Sequence, residues 1–101
     1  MTKLAPIHPG EILRTEFIEP LGLNPNRVAL ALHVPAPGVY EIVRGERAIS
    51  TDMALRLARC FNTSPQFWLN LQTRYDLEIA GDKEQRKVDR EVQPILASVA
   101  K

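Results

Sequence analysis

The chain of 101 residues reads as all-α, and three observations carry that reading. Apolar residues recur at i, i+3, i+4 and i+7 in several short stretches, the spacing that lines one face of a helix. Nowhere does strict apolar–polar alternation run long enough for a strand. Prolines and glycines fall as punctuation: Pro25 and Pro65 directly follow Asn24 and Ser64, and Gly22, Gly45 and Gly81 stand where apolar periodicity stops.

Taken in order, the first helix opens at His8-Pro9-Gly10-Glu11, with Pro9 suited to a first turn and Glu11 to the positive end of the dipole. Ile12, Leu13 and Phe17 share its inner face, and Pro20 with Gly22 ends it. The second helix has Asn24 as cap, Pro25 at its first position and Val28, Ala29 and Leu32 inward. After His33 and Val34 a third short helix starts near Pro35, turns Val39, Ile42 and Val43 inward and stops at Gly45. The fourth has Ser50 and Thr51 as alternative caps, starts near residue 51 and buries Ala54, Leu57, Ala58 and Phe61. Ser64-Pro65 opens the fifth, which runs through Phe67, Trp68, Leu71 and Tyr75 toward Gly81. Residues 8–81 therefore form one domain. In residues 82–101 a spacer with eight charged residues among ten (Asp82 to Glu91) precedes an apolar stripe, Val92, Ile95, Leu96 and Val99. The spacer is either a solvated helix or a flexible segment, and the stripe needs a surface, either this chain's core or a second protomer.

Length and composition exclude several classes. One domain holds about 150 residues, so a second core has no room. At 11.4 kDa a compact fold exposes roughly 5,800 Å² of the roughly 16,500 Å² of the unfolded chain, which needs no disulfide or metal. Cys60, the single cysteine, reads as a small packing residue in a reducing cytosol, and His8 and His33 lie too far apart in sequence for a zinc site. With no signal-like or membrane-length apolar run, a soluble cytoplasmic protein is expected, with no membrane partner. No acid pair, activated nucleophile or phosphate-cradling loop suggests an enzyme, and no cofactor or metal is implied. His8 and Glu11 are read as helix-capping residues rather than as ligands or acid–base groups.

Two short helices joined by a tight turn, with one helix before and two after, form the five-helix arrangement of phage-repressor-like helix-turn-helix domains. Ala29 falls where the two helices cross closely, Val34 at the turn, and Val39 with Ile42 on the buried face of the second. Further strings carry a more specific likeness: His8-Pro9-Gly10-Glu11-Ile12-Leu13-Arg14, Glu19-Pro20-Leu21-Gly22-Leu23, Val34-Pro35-Ala36-Pro37, Glu41-Ile42-Val43-Arg44-Gly45, Arg47-Ala48-Ile49-Ser50, Ala54 to Arg59 and Ser64 to Gln72. In these the chain resembles the HigA-type (VapI-like) antitoxins of the Xre-like helix-turn-helix family, over nearly all of residues 8–80. The resemblance implies a non-enzymatic, homodimeric repressor that binds the double-stranded operator of its own operon. It also implies neutralisation of a RelE-like, mRNA-cleaving toxin of the HigB type by complex formation. A stand-alone helix-turn-helix regulator without a toxin is the alternative, and a helical adaptor with no DNA role is a further one.

In such a domain the N-terminal part of the second helix faces base edges, which places Ala36, Pro37, Gly38, Tyr40 and Glu41 at the readout positions. Arg44 and Arg47, flanking Gly45, together with Asn26 and Arg27, are placed to reach the DNA backbone. The pattern departs from the wider class at Pro25, where a glutamine is common, and at Gly38, where a polar or basic residue is common. Ala36 and Pro37 offer apolar contact to a thymine methyl and Glu41 an acceptor for a cytosine amino group, but no bidentate Arg, Asn or Gln stands at these positions. Specificity is therefore expected to rest on DNA shape and dimer spacing, and affinity on a few phosphate contacts. The candidate dimer residues are Trp68, Leu71, Tyr75, Ile95 and Leu96, with the aromatic stripe of the fifth helix divided between core and partner. The toxin surface is open among the N-terminal arm, the spacer and the apolar tail. Near-neutral charge, 13 basic against 12 acidic residues, predicts weak non-specific DNA affinity and reliance on a two-fold partner.

Overall fold

The computed structural model describes residues 5–95. Its helices are α1 (Pro9–Ile12), which runs directly into a π-helical segment (Leu13–Ile18), then α2 (Pro25–Leu32), α3 (Ala36–Val43), α4 (Thr51–Phe61) and α5 (Pro65–Glu91). No strand occurs among the described residues, as the periodicity predicts.

Local chemistry closes most of the helix ends. His8, Asn24, Ser50 and Ser64 each accept from a backbone N–H of the first turn, at Gly10, Arg27, Met53 and Phe67. Ser50 rather than Thr51 is thus the cap of α4. Four helix ends share a left-handed residue, Gly22 (φ 68°), His33 (φ 60°), Gly45 (φ 78°) and Asn62 (φ 57°). Around each, the following N–H reaches back five residues: Leu23 to the Ile18 carbonyl, Val34 to Ala29, Glu46 to Glu41 and Thr63 to Ala58, all at 2.8–3.1 Å. This is the Schellman arrangement, which satisfies carbonyls that a helix end would otherwise leave open. It lets helices of eight residues, too short to persist alone, stop cleanly and reverse direction.

The core is built from Leu13, Ile18, Val28, Ala29, Leu32, Val39, Ile42, Ile49, Ala54, Leu57, Ala58 and Trp68. The π segment departs from the simple helical reading of the first element. Its wider turn carries Ile18 into the core and sets Phe17 half-buried in an aromatic cluster, 5.1 Å from both Phe61 and Trp68 and 6.3 Å from Phe67. Trp68 was expected at a partner surface, and that expectation is corrected. Its side chain is fully buried, its indole N–H donates to Thr63 Oγ1 (2.8 Å), and Phe17 and Phe67 cover its ring, so no part of it remains for a second protomer. Leu71 and Tyr75, one and two turns further, are half-buried. Cys60 packs half-buried against the core, where burial pushes its thiol pKa up, in keeping with a packing role.

Two contacts lock distant segments together. Gly10 lies against the end of α3 so closely that a Cβ there would sit 1.7 Å from the Ile42 carbonyl oxygen. Among the described residues Gln72 is the one buried polar residue: its Oε1 accepts from the Ile49 N–H (2.8 Å) and its Nε2 donates to Asp76 (2.9 Å), tying the loop before α4 to α5.

Helix α5 is two helices that meet at a kink at Gly81, where the fifth helix was expected to end. That residue breaks the helical geometry (φ 58°, ψ −163°), and the charged spacer continues beyond it as a solvated helix to Glu91. From Leu77 to Ile95 almost every side chain is exposed. This arm lengthens the molecule to 54 × 31 × 22 Å and raises its radius of gyration to 17.4 Å, against about 13 Å for a compact chain of this length. Ile95 is exposed, whereas Leu96 and Val99 lie outside the described residues.

Candidate nucleic-acid interface

Helices α2 and α3 are joined by only His33, Val34 and Pro35, with His33 in the left-handed conformation. The sequence gives no warning of this at His33, since glycine or asparagine is the usual occupant; histidine is among the few other residues tolerated there. From α4, Arg56 donates to the Leu32 carbonyl (2.9 Å) while its Nε holds Asp52 (2.7 Å), so the turn is supported from a third helix. Ala29 is buried where α2 meets α3, and Val39 with Ile42 forms the inner face of α3.

Burial on that inner face fixes what α3 presents outward. Pro37, Tyr40, Glu41 and Arg44 lie opposite Val39 and Ile42 in the helical period, with Pro37 and Arg44 exposed and Tyr40 and Glu41 half-exposed. Ala36 is half-buried and packs against the core, so it offers less to a ligand than its position in sequence suggests. Gly38 lies on the flank of the helix, and a Cβ built there would meet only Arg47 Nε, at 4.0 Å. Asn26 and Arg27 are exposed in the first turn of α2. Helix α3 also differs at its start: Pro35 supplies no side-chain cap, and Pro37 carries no N–H. The Ala36 and Gly38 N–H groups are therefore left without a capping side chain.

The arginines are not bare cations. Arg44 donates from Nε to Glu46 (3.2 Å), a partner that sequence reasoning did not assign. Arg47 folds back past Gly38 and donates from Nε (2.7 Å) and Nη2 (2.6 Å) to a single oxygen of Glu41. These exposed pairs contribute at most about 1 kcal/mol each to stability. Their effect is on charge and on side-chain order.

Behind this surface, His8 ties the N-terminal segment to the end of α3 and to α5. Its Nδ1 accepts from the Gly10 N–H (2.9 Å), its ring packs on Gly45 at 3.6–3.9 Å, and it meets the Tyr75 ring edge-on at 4.8 Å. Burial pushes its pKa below the ordinary histidine value, against the opposing pull of the Asp76 carboxylate and a hydrogen bond to the Arg47 backbone. The capping role read from the sequence is what His8 performs. Among the described residues no cluster of His, Cys, Asp or Glu is arranged to hold a metal, and no helix is long and apolar enough to cross a membrane.

Two short helices, a left-handed turn between them and an outward second helix define a helix-turn-helix module. The helix-turn-helix family model matches residues 16–68. Over 79 residues, 78% of this chain and 73% of the relative, the sequence is 52% identical to Virulence-associated protein I of Dichelobacter nodosus. The structure of Pseudomonas aeruginosa antitoxin HigA with the higBA promoter is similar at a TM-score of 0.84 and 50% identity, covering 90% of this chain and 99% of that one. That of antitoxin GraA in complex with its operator is similar at a TM-score of 0.85 and 44% identity, covering 96% and 98%. The chain belongs to the Xre-like helix-turn-helix family, among its HigA-type (VapI-like) members.

Proposed function

We propose that this chain is an antitoxin and autorepressor: as a homodimer in the cytoplasm it binds the operator of its own operon, and it neutralises a RelE-like, HigB-type toxin by forming a complex with it. The observation that carries the reading is the near-complete structural likeness to two antitoxins solved with promoter or operator DNA. In keeping with it, the outer face of α3 bears Pro37, Tyr40, Glu41 and Arg44, and the uncapped start of the same helix leaves backbone N–H groups for phosphate oxygens. Asn26 and Arg27 flank that face from α2. No catalytic role is proposed.

Two-fold symmetry follows from operator geometry, since paired half-sites one helical turn apart need two modules in fixed relation. We assign the dimer surface to the arm, where Leu77, Ile79, Val88, Val92 and Ile95 are exposed apolar residues, with Leu71 and Tyr75 at its base.

The test is a binding titration of the purified protein on the duplex upstream of its own reading frame against a scrambled duplex, repeated over a range of salt. Specific binding with a log–log salt slope well short of −10, the value of a repressor with many phosphate contacts, is expected. Binding no tighter than to the scrambled duplex refutes the repressor reading. Co-expression with the adjacent reading frame, with and without residues 82–101, tests the toxin partnership. Recovery of no stable complex with the full chain leaves the stand-alone regulator as the reading.

A further inference from the structure

The second helix of the motif lacks a bidentate donor at its readout positions, yet the structure brings one there from beyond the helix. Arg47 follows the Gly45 turn in sequence, but its guanidinium lies beside Gly38 and Glu41, in the first two turns of α3. That is the part of a recognition helix that faces base edges. Arg44 does not share this position, because its guanidinium is held by Glu46 past the C-terminal end of the helix.

The geometry of the pair determines what Arg47 has left to offer. Nε and Nη2 both donate to one oxygen of Glu41, and among the described residues Arg47 makes no other side-chain hydrogen bond. The outer edge of the fork, with Nη1 and the second hydrogen of Nη2, remains available. Two parallel N–H groups on a planar edge match the O6 and N7 acceptors that guanine presents in the major groove. As an exposed ion pair the contact adds little stability, so its significance lies in holding a long side chain in one orientation before binding, which lowers the ordering cost at the interface.

We propose that Arg47 is a base-reading residue that recognises one guanine in each operator half-site, and that Glu41 is its positioning residue rather than a reader of cytosine. Gly38 leaves the path across the helix flank open. The inference rests on the DNA-binding reading above and changes the source of its specificity: an arginine placed by its loop replaces the donors that α3 itself lacks.

The experiment measures operator affinity for the wild type, R47K and E41Q on the upstream duplex, with each guanine replaced in turn by 7-deazaguanine, which lacks the N7 acceptor. For the wild type, one guanine per half-site is expected to lower affinity about tenfold when replaced. R47K keeps the charge but loses the planar fork, so it should bind the unmodified operator about tenfold more weakly and respond less than the wild type to that same replacement. E41Q, whose neutral amide no longer clamps the guanidinium, should lose part of the same sensitivity. If R47K retains wild-type sensitivity at every guanine, Arg47 contacts phosphate and the inference falls. If E41Q instead gains affinity for an adenine in place of a cytosine, Glu41 reads a base directly and the positioning role falls. If the wild type shows no preference for its own upstream duplex, the DNA-binding reading fails, and this one with it.

Discussion

As far as Tyr75 every helix of this chain rests an apolar face on a neighbour, whereas beyond it Leu77, Ile79, Val88, Val92 and Ile95 stand 45–87% exposed. The body is held by tertiary contacts between its elements, and its core residues come from the π-helical segment, from α2, α3, α4 and α5, and from Ile49 in the loop before α4. The arm is held within itself, by pairs such as Arg74–Glu78 and Gln85–Asp89 one turn apart. Such i,i+4 pairs add only about 0.2–0.5 kcal/mol each, and an isolated helix shorter than about 12 residues is marginal in water. The two regions therefore differ in what a substitution can cost, and that difference can be broken or sharpened by four measurements.

The largest effect is expected from Gly10→Ala. A methyl 1.7 Å from the Ile42 carbonyl oxygen meets backbone that no side-chain rotation can clear, so α1 must leave α3, at a cost of about 3 kcal/mol or more in urea unfolding. A loss under about 1 kcal/mol would show that α1 docks loosely. Next comes Gln72→Leu, which removes the acceptor of the buried Ile49 N–H and should cost about 1–3 kcal/mol. A neutral result would mean that water reaches that N–H.

A smaller effect concerns His8. Its folded pKa lies below the unfolded value of about 6.5, so the folded state disfavours its protonation. The stability it contributes is full above the unfolded pKa and is lost as pH falls from there through the folded pKa. Melting temperature should drop across that interval, and His8→Asn, which keeps a capping oxygen, should flatten the drop. An unchanged pH profile in the variant would assign the dependence to other groups. Smallest for the body is the double substitution Leu77→Glu with Val88→Glu: thermal stability of the body should stay within about 0.5 kcal/mol, while sedimentation shifts toward monomer. Destabilisation comparable to that of Gln72→Leu would erase the distinction between arm and body.

What could be read from the chain in advance divides along the reach of the interactions. Caps at His8, Asn24, Ser50 and Ser64 were legible because each side chain bonds a backbone group at most three residues away. The left-handed ends at Gly22 and Gly45 were legible for the same local reason, while His33 adopts that conformation with no glycine to announce it and Asn62 is a residue that tolerates it, each closed by the same five-residue back-bond. Trp68 was ambiguous because an aromatic stripe suits a core and an interface equally, and its burial is decided by Phe17 far upstream. Gln72 gave no sign, since its partner is the Ile49 N–H rather than another side chain. At the interface, the outward residues Pro37, Tyr40, Glu41 and Arg44 followed from the period of α3. The return of Arg47 to Glu41 did not, because it depends on how the Gly45 turn redirects the chain.

The π-helical segment, finally, bears on how this chain tolerates changes of length. A turn closed five residues back instead of four accommodates one residue more than the α-helix around it needs. Removing one residue between Leu13 and Ile18 would let that turn relax to ordinary spacing with the flanking faces still in phase. The same deletion in α2 or α3 would swing every following side chain by about 100° and take Val39 and Ile42 out of the core. Among its helices, the first is thus the place where the protein can lose a residue and keep its reading head intact.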